Sequence, residues 1–376
     1  MNEDKAARYH RLKRRAGVLA GLTTALVLGA FLLTGASAAL AAATHAITPF
    51  PAFWVAIYVV VLAFLQEAAG FPLALYRTFI LERRYGLSRE PFSGWLADHL
   101  KASALGLAIA LPGAEVVYWL MVRSPTWWWL LSAVVFVAAM GLMAKLAPVL
   151  VMPMFYKFRP LERESLRARL VALSNRAGVP VLGVYEWALG EQTRRANAAL
   201  VGTGRTRRII VSDTLLGEYS EDEIEVVMAH ELGHHVHRDI QVAMMAESAL
   251  IVAALFSAAG ALNASWRVLG LAAPSDVAGL PLLLLAGGAV MLAGSPLLHA
   301  LSRRNEWRAD RYALEMTRHP ADFISAMKRL AAQNLAEDDP GRAVMWLFHT
   351  HPPVSQRIEA ARQFVVPMES ETASRS

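Results

Sequence analysis

The sequence predicts a mainly α protein: a multi-span transmembrane helical bundle that carries a cytoplasmic α+β domain with a small β-sheet. Three observations predict it. Of 376 residues, 55% are hydrophobic and only 18% charged, against about 25% charged in a soluble domain. The apolar residues gather in runs of about 20, the length that crosses a bilayer as a helix. One polar segment in mid-chain, about Lys157 to Val242, shows short helix and strand patterns instead.

Composition also excludes. Formal charge is +6, but the basic residues flank apolar runs. They therefore read as orienting the chain on the cytoplasmic leaflet, and no nucleic-acid partner is expected. There is no cysteine, which removes disulfide frameworks, thiol nucleophiles and Cys-ligated zinc together. Any metal must rest on His and carboxylates.

The first apolar run, Gly17 to Ala43, follows a basic tail over residues 1–15 that holds Lys5, Arg8, Arg11, Lys13, Arg14 and Arg15. With small residues at Ala36-Ser37-Ala38 it also has the layout of a secretory signal peptide, although its length favours a span. Further spans read as Phe53 to Leu73, Ala102 to Val122, Trp127 to Val149, Met244 to Leu262 and Leu282 to Leu301. The loop from Arg77 to Lys101 holds five Lys or Arg residues and belongs on the cytoplasmic side; alternation then puts both termini and the mid-chain segment there too. Glu67 and Glu115 fall inside predicted spans, where an ionisable group faces a polar interior or lies near an interface.

Within the polar segment, Leu161 to Ala177 reads as an amphipathic helix. Leu182 to Trp187, Asn197 to Val201 and Arg208 to Ser212 read as strands, the last two joined as a hairpin by the turn chemistry of Thr203-Gly204-Arg205. The tail Glu369 to Ser376 is polar, with the composition of a disordered end.

Ser220-Glu221-Asp222-Glu223 is a capping box: an N-cap hydroxyl with a carboxylate three residues on, before an apolar-periodic run. It opens a helix carrying His230-Glu231-Leu232-Gly233-His234. Histidines four apart project from one face, about 40° from each other, so both can reach one tetrahedral metal. Glu231, beside the first, can reach a metal-bound water as general base. His235 is turned about 100° from His234, off that face, and His237 lies too far along; both read as surface or interfacial.

A third ligand must come from elsewhere. After the last apolar run, Glu306 and Asp310 sit four apart on one helical face. Alone, such a charge run would be a solvated face pairing with Arg303, Arg304 or Arg308. Beside the two-histidine motif, Glu306 reads as third ligand and Asp310 as the acceptor that orients one histidine, since ligating imidazoles donate their other N–H. The expected cofactor is one Zn2+ per chain, held by His230, His234 and Glu306.

These motifs carry a family resemblance. The His-Glu-Leu-Gly-His run, then membrane spans, then Ser302-Arg303-x-x-Glu306-x-x-Ala309-Asp310, resembles the integral-membrane gluzincins of the type I CAAX prenyl protease family, which are related to the HtpX-like proteases. Three further stretches look like the prenyl-protease branch. They are Tyr85 to Phe92 with Trp95, Asp98 and Lys101; Asn197-Ala198 before Ile210 to Leu215; and His351-Pro352-Pro353 with Arg357. The resemblance implies a zinc endopeptidase. Asn197 and Ala198 would bind substrate as an edge strand, and His351 and Arg357 would join Glu231 as catalytic groups at the scissile carbonyl, with His349 as the competing histidine. It departs in having six spans where the family's eukaryotic members have seven, and where Ala199 and Ala196 replace a usual aromatic and a usual His.

The expected organisation is a basic tail (1–15), four spans (16–155) with the 77–101 loop, a catalytic portion (156–242), two more spans (243–301), a C-terminal catalytic portion (302–368) and a polar tail (369–376). Expected partners are the lipid bilayer and a peptide or protein substrate, prenylated or membrane-associated chains included, in a bacterial inner membrane. Quality-control proteolysis of misfolded membrane proteins is the alternative activity, and an inactive membrane scaffold the alternative of another class.

Overall fold

The computed structural model describes residues 4–202 and 204–365; Thr203 of the predicted turn and the polar tail 369–376 lie outside the described residues. The chain divides into two compact units. One takes Arg8–Phe155 and Gln241–Leu298; the other takes Tyr156–Ile240, the described residues from 299 onward and the stretch Lys5–Ala7.

The first unit opens with α1 (Lys5–Leu33) and the shorter α2 (Ala36–Ile47). The predicted run Gly17 to Ala43 is thus divided, and the basic stretch read as a tail is already helical from Lys5. The break falls at Gly35, whose φ of 80° lies in the left-handed region that glycine enters without cost. Past it, Ser37 is buried with Oγ 2.6 Å from the Tyr58 hydroxyl and 2.6 Å from the Ala278 carbonyl oxygen, so its polar group is satisfied in an apolar setting. The basic end is fixed by a second polar cluster: buried Tyr9 donates to Glu82 (2.5 Å), as does Lys13 (2.7 Å).

Next come α3 (Pro51–Leu75), which passes through a π-helical turn (Tyr76–Ile80) into α4 (Leu81–Arg84), then α5 (Phe92–Arg123). After it α6 (Trp128–Leu146) passes through a second π turn (Ala147–Val151) into α7 (Met152–Phe155). Leu26 (71%), Phe64 (71%) and Leu292 (75%) are exposed, as expected where the solvent is hydrocarbon. Among the described residues six helices are long and apolar enough to cross a membrane, the number read from the sequence.

The second unit holds β1 (Phe158–Pro160), α8 (Glu164–Arg176), β2 (Val184–Trp187), β3 (Ala198–Val201), β4 (Arg208–Ser212), α9 (Asp213–Glu218) and α10 (Glu221–Val236). The four strands make one sheet in the order β1-β2-β4-β3. The predicted hairpin is present, with Ala198 opposite Val211 and Val201 opposite Arg208. β1 escaped the sequence reading because three residues with a proline carry no alternation; proline is tolerated there because β1 is an edge strand. Leu166, Leu170 and Leu173 line one face of α8 and are fully buried with Ile209, Ile224 and Met228. Each such side chain contributes roughly 1.5–3 kcal/mol of burial.

Two long helices then follow: α11 (Asp239–Ser265) and α12 (Leu280–Thr317). Each has residues in both units. The chain ends with α13 (Pro320–Asn334), α14 (Arg342–Phe348) and α15 (Val354–Arg362).

The capping box of α10 forms as read, with Ser220 Oγ accepting from Glu223 N–H (3.2 Å) and Glu223 accepting from Ser220 N–H (2.9 Å). Glu223 also accepts from the Ser325 hydroxyl (2.6 Å) and Arg329 (3.1 Å), tying α10 to α13. Burial raises the pKa of this carboxyl, but the hydroxyl, backbone and guanidinium donors together bring it below the ordinary value. A carboxyl with a depressed folded pKa contributes stability above its unfolded pKa of about 4.3 and loses it as pH falls through the folded value. Glu223→Gln is therefore expected to melt lower than the parent at neutral pH, with the gap closing in acid. Thermal unfolding in detergent across that range measures it, and a gap that does not change with pH would refute the assignment.

Candidate metal centre

The second unit brings the three expected ligands together. One ligand atom from each of His230, His234 and Glu306 lies within 4.8 Å of the other two. His230 Nε2 is 3.4 Å from Glu306 Oε2, and His234 Nε2 is 3.5 Å from Glu306 Oε1. The two imidazoles stand nearly perpendicular (89°), centroids 4.9 Å apart, with both Nε2 atoms turned to the Glu306 carboxylate.

Convergence depends on a close approach of α10 and α12. A Cβ added at Gly233 would lie 3.1 Å from Ala309 Cα and 3.2 Å from the Tyr312 ring. Only the smallest residue lets the helices meet so closely, and Glu306 and Asp310 flank that contact on α12. Sequence reading passed over this role; its signal is the small residue of the first motif facing the small residue of the second.

Each histidine has its other nitrogen against a carboxylate. His230 Nδ1 lies 2.8 Å from Asp310 Oδ1. His234 Nδ1 lies 2.9 Å from Oδ2 of Asp239, which sequence reading did not single out. Asp239 is the first residue of α11 and reads in sequence as an ordinary charge at a helix start. It returns to His234 because Arg238, with φ 58°, turns the chain in the left-handed region after α10. Both carboxylates are in turn clamped by arginine. Arg357 donates to Asp310 through Nε (2.7 Å) and a terminal nitrogen (2.5 Å), and Arg308 donates to Asp239 and to Asn305 (2.7 Å).

Arg357 is buried, with two donors on Asp310 and a terminal nitrogen 3.7 Å from Glu306 Oε2, so it lies beside the candidate centre and also supports Asp310. His351 does face the centre, Nε2 3.2 Å from Glu306 Oε1, and its side chain is exposed. His349 is occupied elsewhere, 3.3 Å from Glu337, so of the pair it is His351 that adjoins the centre. The competing reading of Glu306 and Asp310 as a solvated face fails, since both are buried while Arg303 and Arg308 bond to other groups.

Glu231 is half-buried among these charges, and burial raises its pKa against the opposing influence of His230 and His234. Asn197 accepts from Ser212 N–H (2.9 Å) in the sheet. By the alternation of an antiparallel pair, Ala198 and Leu200 turn their N–H and C=O to the outer edge of β3. His235 Nε2 lies 3.1 Å from the Leu200 carbonyl oxygen on that edge, so this histidine off the metal face braces the strand against α10. His237 packs edge-on against Tyr312 (5.7 Å), as an interfacial residue. In the first unit, Glu67 sits 2.6 Å from His99 and accepts from Ser103 (3.3 Å), while Glu115 is half-buried.

The donor set fits a divalent cation. Glu306 Oε2 is buried without a well-formed hydrogen bond, its nearest cationic neighbours being His230 Nε2 at 3.4 Å and Arg357 at 3.7 Å, a position that a cation would fill. The local field favours positive charge as well: burial lowers the pKa of His230, yet Asp310 and Glu306 beside it push it up to about 10.

Fold and site together define an integral-membrane metallopeptidase. Residues 160–365 match peptidase family M48, and residues 2–157 match the CAAX prenyl protease N-terminal region, described as five membrane helices. The chain belongs to peptidase family M48. Among the described residues within 2–157, four helices are long and apolar enough to cross a membrane, and α2 is a shorter apolar one. An uncharacterised metalloprotease of Bacillus subtilis, YhfN, is 27% identical over 88% of this chain and 79% of its own length. A CAAX prenyl protease 1 homolog of Caenorhabditis elegans is 25% identical over 82% of this chain and 77% of its own. The crystal structure of S. mikatae Ste24p shares the fold, with a TM-score of 0.84, 20% identity, and coverage of 95% of this chain and 88% of that one.

Asp239 supplies a test of the site. Loss of a carboxylate behind a ligating imidazole typically costs 10–100-fold in metal affinity. Asp239→Ala is expected to weaken metal binding by about that factor and Arg308→Ala by less, both read by chelator competition. Unchanged affinity in Asp239→Ala would remove the positioning role.

Proposed function

We propose that this chain is a zinc-dependent endopeptidase of the CAAX prenyl protease type, acting on membrane-attached chains, with Glu231 as general base. The observation that carries the proposal is the convergence of His230, His234 and Glu306 on one point beside Glu231. Two imidazoles and a carboxylate are a donor set that suits zinc. When bound, the ion would supply Lewis-acid polarisation of the scissile carbonyl and acidify water.

The remaining work falls to the protein's own groups. Glu231, whose burial makes it a better proton acceptor, takes a proton from the attacking water and passes it to the leaving amine. His351, next to Glu306 and open to solvent, donates to the developing oxyanion. Arg357 and Arg308 hold Asp310 and Asp239, which fix the tilt of the two imidazoles. Asn197 and Ala198 lie at the edge strand, where substrate would add as a further strand and bind through its backbone.

The prenylated substrate is proposed from the named relatives and from the membrane spans that share this chain. A bacterial inner membrane with the catalytic portion cytoplasmic is proposed from the basic 77–101 loop and the Bacillus relative.

Two outcomes test this. Glu231→Gln should keep its metal and lose about 10²–10⁴-fold in peptidase activity, the usual worth of a general base; activity equal to the parent would remove the mechanism. Detergent-solubilised protein should cleave farnesylated-Cys peptides in preference to unmodified unfolded chains. The reverse preference would replace the prenyl reading with quality-control proteolysis, and no cleavage of either by metal-loaded protein would leave the inactive scaffold.

A further inference from the structure

The short helix α14 buries none of its residues. It ends in Trp346-Leu347-Phe348, exposed by 51%, 41% and 45%, an apolar patch that a water-facing helix has no reason to carry. The carbonyls on either side of that triad, Met345 and His349, both accept hydrogen bonds from Arg303 (3.1 and 2.6 Å). Arg303 therefore pins the triad to one level of α12. Arg303 lies within a turn of Leu301, where the apolar run of α12 ends and its charged stretch begins. Exposed Arg304 follows directly, and Trp307, 36% exposed, is one turn further on. Aromatic and aliphatic side chains next to arginines, at the depth where a span leaves hydrocarbon, are the composition of the lipid interface.

We infer that α14 is an interfacial membrane element, with Trp346, Leu347 and Phe348 seated in the headgroup–acyl boundary of the bilayer. The inference stands on continuity with the α12 span and does not require the proposed substrate. Its consequence is positional. His351, three residues past Phe348, has its Nε2 3.2 Å from Glu306 Oε1, so the segment that reaches the metal centre is anchored directly in lipid.

The chain has no cysteine, which makes single-site labelling simple. Trp346→Cys, Leu347→Cys and Phe348→Cys would each carry a nitroxide in full-length protein reconstituted into phosphatidylcholine–phosphatidylglycerol vesicles at about one protein per vesicle. Leu297→Cys, 68% exposed on the span, gives the hydrocarbon reference; Arg311→Cys, with its side chain 79% exposed further along α12, gives the aqueous one. Collision with oxygen and with a water-soluble nickel chelate is then read by power saturation. The expected result is a shift of all three labels from the Arg311 value toward Leu297, with high oxygen and low nickel collision. Labels that match Arg311 would overturn the inference by placing α14 in water. Labels shielded from both reagents would overturn it equally, by showing that protein covers the triad. The exposed positions tolerate the label, and a monodisperse size-exclusion profile identifies any variant that has not folded.

Discussion

Gly233 on α10 and Ala309 on α12 touch with no side chain between them, and the metal centre is organised around that contact. Had either position carried a larger group, the helices would stand further apart by the thickness of a methyl group or more. Glu306 would then be drawn away from two imidazoles that it now approaches within 3.4–3.5 Å. The capping box and the Glu223 network hold α10 against α13, and the buried face of α8 supports it from the sheet side. These interactions fix where the histidines point. The helix–helix contact fixes what they point at.

Around the centre the charges alternate in shells. Imidazoles are backed by the carboxylates of Asp310 and Asp239, and those by the guanidinium groups of Arg357 and Arg308. A buried carboxylate is costly unless paired, and each of these two is paired on both sides. The result is a set of donors held in place before any ion arrives, which limits the reorganisation that binding requires.

Much of this was legible in the sequence because it is local. A capping box, two histidines one helical turn apart and a carboxylate pair at the same spacing are short-range patterns that survive folding unchanged. The apolar runs likewise announced six spans, although the division at Gly35 did not show because a single glycine within an apolar run costs little in a hydropathy reading. What the sequence hid is long-range. Asp239 looked like a helix-start charge until the left-handed turn at Arg238 brought it back to His234. The pairing of Arg357 with Asp310 joins residues 47 apart in the chain and has no local signature. β1 is too short to have a period. His235 was rightly placed off the metal face, but its bond to Leu200 depends on how β3 packs, which no spacing reveals.

The candidate metal-binding group is interrupted in sequence: His230 and His234 precede α11 and the apolar part of α12, while Glu306 follows them. During synthesis the histidine pair therefore emerges first and waits with an incomplete coordination set. The third donor is supplied only after two hydrophobic helices have been made and threaded through the bilayer. An incomplete chain therefore carries two of the three donors and not the third. The same interruption means that no contiguous fragment taken from one side of those two helices can contain the whole centre.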